Sequence, residues 1–268
     1  MVLLHQNITF LNFDGTYVQQ KALTSACPHR WIDFHTLRGT SLYCAPGAFQ
    51  TIRRQLADVS DKGLTFIGSG NYHYTSLALM QRIRRPFTLI LLDHHTDLNE
   101  GQIGSLLSCG SWVHYAVTGL ASLHRIVMIG PHPADTASVP ALIRHQVVVI
   151  PDQRIPDDRT LLALIPTDHV YLSIDKDVLA PPFVKTNWDQ GKLRLDELCR
   201  LLRLIVGRKK AEGIDVCGEW PIRPHDHFNR QVRSWLARNE QANLRILTTV
   251  RDLAPAPWPE KQIDRPLD

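Results

Sequence analysis

The chain has 268 residues, of which 44% are hydrophobic and 21% are charged, and its formal net charge is +4. These values are typical of an ordinary folded protein and argue against an intrinsically disordered chain. A net charge this small for the length gives little support for binding to nucleic acid or to a membrane surface. The length suits one large domain that spans residues 1–268.

The five cysteines are odd in number and form no Cys-x-x-Cys pair. This pattern argues against a disulfide framework and a zinc ribbon and indicates a reducing compartment, so we expect a cytoplasmic protein. The first seven residues have no basic region and only a short apolar run, so we expect no signal peptide. An uncharged stretch from Gly101 to His124 is long enough to span a bilayer but contains many polar residues. We therefore predict a buried helix there.

Short apolar runs alternate with helix-period segments along most of the chain. The runs are rich in β-branched or aromatic residues, which is typical of strands covered on both faces. The predicted strands are Leu64–Gly68, Phe87–Asp93, Arg125–Gly130, Val147–Pro151, Val170–Asp175 and Gly213–Gly218. The predicted helices are Thr75–Ile83, Asp158–Ile165, Leu195–Val206 and His227–Asn239. This alternation predicts an α/β protein, a three-layer αβα fold with a mostly parallel central sheet and right-handed crossovers.

Acidic and imidazole side chains recur at alternate positions where two of the predicted strands end. Asp93, His95 and Asp97 follow one strand, and Asp175 and Asp177 follow another. Residues at alternate positions of extended backbone point the same way, so each set can converge on one point. Four carboxylates packed together would repel one another unless cations lie among them. The sequence therefore predicts a metalloenzyme whose site lies at the carboxyl ends of the strands.

Three motifs together resemble those of the arginase/agmatinase (ureohydrolase) superfamily. They are the Gly-x-x-His turn that ends at His73, the Asp-x-His-x-Asp motif at 93–97 and the Ser-x-Asp-x-Asp motif at 173–177. The resemblance extends from Gly68 to Pro221 and implies an arginase-like fold with two manganese ions per chain. The implied ligands are His73, Asp93, Asp97 and Asp175 for the first ion, and His95, Asp93, Asp175 and Asp177 for the second.

The types of donor in these motifs agree with the implied metal. Hard carboxylates with few imidazoles and no thiolate suit manganese better than zinc or copper. Two divalent ions about 3.5–4 Å apart can share a water molecule and lower its pKa. The resemblance then implies attack of that water on the planar guanidinium carbon of arginine, which gives urea and ornithine.

The candidate catalytic residues are Asp97, Glu219 and His114. The superfamily has a guanidinium-binding Glu at the position of Gly218, and here an acid, Glu219, follows one place later. A strand-end acid on the surface is the alternative interpretation of Glu219. His114 is the imidazole in the segment where the superfamily has its proton-shuttling His. A helix-face histidine that fills the core is the alternative interpretation of His114.

The predicted substrate-binding residues lie in loops that depart from the superfamily pattern. Asn99 matches a residue that reads the α-carboxylate of free arginine, and Asp135 matches one that faces the α-amine. The serine-rich loop that completes this recognition is replaced by 106–112, and the loop 186–191 is bulkier than usual. These changes suit a larger substrate, and the sequence resembles the peptide arginases, which convert arginine to ornithine within peptides.

Several alternatives stay open at this stage. The substrate could be free arginine, agmatine or another small guanidino compound. A deacetylase-type amide hydrolase shares the architecture but needs only one zinc ion and lacks several of these acids. A non-catalytic relative would use the pocket for binding alone. The oligomeric state is also open, because the stretch around Pro255–Pro259 replaces a tail that helps assembly in some members.

Overall fold

The computed structural model describes residues 7–57, 63–99, 106–222, 226 and 228–253. Its strands in chain order are β1 (Ile8–Asn12), β2 (Arg30–Asp33), β3 (Tyr43–Cys44), β4 (Leu64–Phe66), β5 (Phe87–Leu92), β6 (Leu107–Ser108), β7 (Leu123–Ile129), β8 (Val147–Ile150), β9 (His169–Asp175) and β10 (Lys210–Cys217). Within these residues, β3 and β6 form a short antiparallel pair. The others form an eight-stranded parallel sheet in the order β2-β1-β4-β10-β9-β5-β7-β8.

Helices cover both faces of this sheet, as a parallel sheet requires. They are α1 (Lys21–Ser25), α2 (Pro46–Ala57), α3 (Thr75–Met80), α4 (Trp112–Gly119), α5 (Asp158–Ala163), α6 (Leu195–Arg208) and α7 (Arg230–Asp252). Leu89 and Leu91 of β5 pack in the core cluster of α2, α3 and α4, and Ile90 and Leu92 pack in that of α1, α5, α6 and α7. This alternation confirms the predicted three-layer α/β fold.

The predicted elements are present with shifted ends, and the first 60 residues hold elements that we did not predict. Two of the missed elements, β1 and α2, bury a face in the core, and β2 is an edge strand with three of its four residues exposed. The segment predicted to end at Asn239 is the longer helix α7, and the uncharged stretch contains α4. No helix among the described residues could cross a membrane. Residues 100–105 and the stretch around Pro255–Pro259 lie outside the described residues.

The order of the strands brings four carboxyl ends side by side at the centre of the sheet. After β5 the chain builds outward through β7 and β8, and it then returns to the centre with β9 and β10. As a result β4, β10, β9 and β5 are neighbours, although they are far apart in sequence. Open α/β sheets carry their sites where the strand order changes direction. The segments that follow these four strands therefore lie together.

Candidate metal centre

Six predicted ligands meet at this edge in two donor groups that share Asp93. In the first group, His73 Nδ1 lies 3.3 Å from Asp93 Oδ2 and 3.1 Å from Asp97 Oδ2. In the second, His95 Nδ1 lies 2.9 Å from Asp177 Oδ2 and 3.5 Å from Asp93 Oδ1. Asp175 contacts the first group through His73, since its Oδ2 lies 3.6 Å from His73 Nδ1. The structure thus brings together every residue predicted as a metal ligand.

Local backbone geometry holds the acids that follow β5. The His95 amide donates to Asp93 Oδ1 at 2.6 Å, which closes a tight turn directly after the strand. Asp97 has a φ of 50°, in the left-handed region that few residues other than Gly and Asn or Asp adopt. The indole of Trp112 donates to Asp97 Oδ2 at 2.6 Å. The first helix residue of α4 therefore fixes the direction of this carboxylate.

The acids that follow β9 are held in the same way. The amide of Asp177 donates to Asp175 Oδ1 at 3.0 Å, and the amide of His94 donates to Asp177 Oδ1 at 3.0 Å. Each carboxylate keeps its other oxygen directed at the donor groups. Backbone donors of this kind orient the ligands before any ion binds.

A chain of hydrogen bonds behind His73 fixes its ring. His73 Nε2 lies 2.9 Å from Ser173 Oγ, which donates to Asp215 Oδ1 at 2.7 Å. The Tyr171 hydroxyl donates to the other oxygen of Asp215 at 2.8 Å. Support of one imidazole nitrogen by such a network leaves the other, Nδ1, facing the carboxylates, as in many metal sites.

Burial and mutual repulsion shift the pKa values of the carboxylates in the centre. Burial and the charge of Asp93 raise the pKa of Asp97 to about 6. Burial and the charge of Asp175 raise the pKa of Asp177 far above its usual value. Burial opposes protonation of His95, but Asp177 and Asp93 raise its pKa to about 12. Buried carboxylates that repel one another favour a positive charge between them, and carboxylates and imidazoles are donors that suit divalent cations, so these residues fit the predicted metal site.

One donor that we did not predict lies beside this centre. Cys217, the last residue of β10, is paired in register with Asp175 on β9, and its thiol donates to Asp175 Oδ2 at 3.1 Å. His73, Asp175 and Cys217 offer donor atoms that all lie within 4.8 Å of one another. The sequence argument for manganese assumed that no thiol lies near the ions. That assumption was wrong, because it did not take the strand register into account.

The donor groups line a cleft of about 360 Å³ that opens to solvent. Asn99 and Asp135 also line it, so their predicted contact with substrate stays a prediction that the geometry allows. The indole of Trp188 lies 5.9 Å from the His95 ring and donates to Asn71 Oδ1 at 3.2 Å. Further lining residues are Leu42, Tyr43, Gly70, Thr96, Ser108, Cys109 and Gly110.

Glu219 does not line the cleft, which corrects its predicted role as the guanidinium ligand. Its carboxylate is fully buried and is paired with Lys176 Nζ. It also accepts hydrogen bonds from Gln20, Asn239 and Asn243, at 2.9, 3.1 and 2.6 Å. The surface-acid alternative is wrong as well, because the acid lies in a buried polar network.

The superfamily position for that acid, Gly218, has no room for any side chain. Gly218 has a φ of 85°, and an added Cβ would lie 2.6 Å from the amide nitrogen of Lys176 and would also clash with Asp175. The backbone turn at Gly218 ends β10 and leads the chain to Glu219 in the buried network. A glutamate at this position is therefore sterically excluded.

His114 is also not brought to the cleft. It lies on α4, half-buried, with its ring edge-on to Tyr115 at 5.9 Å. Its Nδ1 is buried and has no hydrogen-bond partner among the described residues. The residue that α4 directs at the metal centre is Trp112. The predicted proton-shuttle role of His114 therefore has no support from its position.

The fold and the donor groups define a class of parallel-sheet α/β proteins with a carboxylate-rich centre for two divalent cations. A family model described as "Arginase family" matches residues 14–232. The chain belongs to the arginase family, whose members are hydrolases of amidino C–N bonds and generally depend on two metal ions. A protein of Thermotoga maritima described only as uncharacterized is 30% identical over 240 residues, which cover 87% of this chain and 91% of that one.

Several solved structures share the fold. The arginase of Entamoeba histolytica in complex with L-ornithine gives a TM-score of 0.67 at 11% identity, over 93% of this chain and 99% of that one. The proclavaminate amidino hydrolase of Streptomyces clavuligerus gives 0.64 at 19% identity, over 91% and 92%. A hypothetical agmatinase of Burkholderia thailandensis gives 0.63 at 16% identity, over 94% and 90%. Identities this low show a shared fold alone.

Proposed function

We propose that this protein uses two divalent cations to hydrolyse the guanidinium group of arginine to urea and ornithine, with the arginine presented in a peptide. The observation that carries the proposal is the pair of donor groups around Asp93, at the base of an open cleft. His73, Asp93, Asp97 and Asp175 would hold one ion, and His95 and Asp177 would hold the other together with Asp93 and Asp175. Manganese is the ion that the family resemblance implies.

The side chains around the centre act by holding the metal ligands in position. The bound cations would supply a water molecule of lowered pKa next to the group under attack. Ser173 and Asp215 keep His73 Nδ1 directed at the centre, and Trp112 keeps Asp97 in place. Such supporting contacts matter because a displacement of about 1 Å at a reacting group can cost about 100-fold in rate.

A cationic substrate needs an acid outside the cation cluster. Among the described residues that line the cleft, Asp135 is the carboxylate that belongs to none of the donor groups. We propose that Asp135 pairs with a cationic group of the substrate and that Asn99 donates to a neighbouring carbonyl or carboxylate. Charge-assisted hydrogen bonds of this kind are about twice as strong as neutral ones.

The rim of the cleft supports a substrate larger than a free amino acid. Leu42 and Tyr43 line the cleft and expose large side chains to solvent. The indole of Trp188 packs so close to Gly70 that a Cβ at this glycine would lie 3.0 Å from it. Apolar and aromatic side chains at a mouth favour contact with extended peptide backbone and its neighbouring side chains. A free amino acid would leave much of this rim without a contact.

The test compares three substrates with the manganese-loaded protein: free arginine, agmatine and a set of arginine-containing peptides. We expect urea from the peptides, with a peptide mass that falls by one carbodiimide unit, and no urea from the free compounds. The Asp93→Asn variant serves as the control for contaminating activity and should release none. Urea from arginine or agmatine alone would show that the substrate is a small guanidino compound and not a peptide. No urea from any of the three would refute the proposal.

A deacetylase-type amide hydrolase is disfavoured by the same geometry. Such an enzyme needs one zinc ion, whereas the cluster here offers two groups of three donors that share Asp93. Metal analysis of the purified protein should give two ions per chain. A single ion per chain, with release of acetate from an acetylated amine, would support the amide hydrolase instead.

A further inference from the structure

Cys217 is a buried thiol that the proposed reaction does not use, although it touches the metal centre. It lies at the carboxyl end of β10, fully buried, with Asp175 as its partner across the strands. Its sulfur donates to Asp175 Oδ2 at 3.1 Å, and this same oxygen lies 3.6 Å from His73 Nδ1. The thiol therefore lies against a carboxylate oxygen that faces the donor groups.

The three side chains form a compact donor group of their own. One nitrogen of His73, one oxygen of Asp175 and the sulfur of Cys217 all lie within 4.8 Å of one another, and all three residues are buried. A divalent cation with bonds of about 2.0–2.3 Å to nitrogen, oxygen and sulfur can contact three donors at such separations. By contrast, Cys199 is buried on α6 and belongs to none of the donor groups found among the described residues.

We propose that Cys217 is a sulfur ligand of the cation held by His73 and Asp175. When the cation binds, the thiol loses its proton to solvent, since a coordinating thiol is deprotonated. The S–H hydrogen bond to Asp175 is then lost, and Asp175 Oδ2 becomes free to contact the ions. The inference concerns the metal centre alone and holds whichever amidine the enzyme cleaves.

A sulfur ligand changes which metal this position selects. Thiolate is a soft donor and favours zinc, cobalt or iron, whereas an all-oxygen and imidazole position also suits manganese. We therefore expect the ion at His73 to exchange for cobalt or zinc more readily than the ion at His95. When both kinds of metal are supplied, we expect cobalt or zinc at the position of His73 and manganese at the position of His95.

Cobalt(II) provides the decisive probe, because a cobalt–thiolate bond gives a near-ultraviolet charge-transfer band that oxygen and nitrogen ligands do not give. The metal-free full-length protein is titrated with Co²⁺ under anaerobic conditions. The near-ultraviolet absorbance and the amount of bound cobalt per chain are measured at each step. We expect the band in the wild type, its loss in Cys217→Ser, and its retention in Cys199→Ser and in Cys109→Ser. Cys109 is the matched control, since it is another buried thiol and lines the cleft.

The band also separates a ligand from a mere hydrogen-bond donor. Loss of a supporting hydrogen bond to Asp175 could by itself weaken metal binding by about 10–100-fold, so affinity alone does not decide. Two bound cobalt ions without the band in the wild type would overturn the proposal, as would a band that persists in Cys217→Ser. If that variant does not fold, X-ray absorption of cobalt-loaded Cys109→Ser decides, because a cobalt–sulfur distance supports the proposal and its absence refutes it. None of these readouts uses a substrate.

Discussion

Replacement of Glu219 by glutamine separates a structural role from the role in substrate binding that the sequence predicted. Glu219 and Lys176 are fully buried and paired, and three amide side chains donate to the carboxylate. Glu219→Gln keeps the shape but leaves the Lys176 ammonium buried without a counter-charge. Removal of one partner of a buried ion pair costs about 3–5 kcal/mol. We expect a loss of this size in the free energy of unfolding, measured by urea denaturation of the metal-free protein.

Two controls make the measurement specific. The double variant Lys176→Met with Glu219→Gln removes both charges and keeps an amide oxygen as an acceptor for the surrounding amides, so part of the lost stability should return. Asp196→Asn removes one partner of the exposed pair with Arg194 and should leave stability unchanged. The reasoning would be refuted if Glu219→Gln unfolded like the wild type while its KM for a guanidinium substrate rose sharply, since that result would put the carboxylate in contact with substrate.

Three further outcomes follow from the metal centre. Divalent cations should bind more tightly as the pH rises through and above about 6, because Asp97 (pKa about 6) and His95 (pKa about 12) must lose protons to bind metal. Calorimetry should show that protons are released on binding, and an affinity that does not change with pH would contradict this. Asp215→Asn should lower the affinity for metal about 10–100-fold, measured in competition with a chelator, because it weakens the hydrogen bonds that hold Ser173 and His73. A change in affinity below twofold would show that these hydrogen bonds are dispensable. Trp188→Ala should raise KM for an arginine peptide about tenfold with kcat kept, the equivalent of about 1.4 kcal/mol, whereas an equal effect on free arginine would count against a peptide-binding rim.

The metal ligands could be predicted because their geometry is local to each strand end. The alternate spacing of Asp93, His95 and Asp97 marked them as one set, but a tight turn at His95 and the left-handed φ of Asp97 bring them together, and not the extended backbone that we expected. Parallel strands then bring such strand-end sets to one edge. The sequence also indicated the three-layer fold, since uniform apolar runs such as Phe87–Leu92 are typical of strands with two covered faces. By contrast β2 was missed, because an edge strand with exposed polar residues has no such pattern.

Residues whose position depends on other strands could not be predicted in the same way. Cys217 lies near the ions only because β10 pairs in register with β9, which no local pattern reveals. Glu219 is turned into the buried network by the positive φ of Gly218 and is held there by α7, which is distant in sequence. The helical pattern around His114 does not indicate which side of α4 its side chain faces. Each of these errors concerns a side chain whose surroundings come from a separate part of the chain.

The turn at Gly218 also limits which substitutions this chain can accept near the metal centre. Any mutation that introduces a side chain there collides with Asp175 and with the backbone of Lys176, and so it damages the ion-binding residues before it can add a new contact. A glutamate at this position would need both a different backbone path at the end of β10 and a shift of Asp175 and Lys176. The loops at the mouth of the cleft can therefore accept new side chains that this strand end cannot.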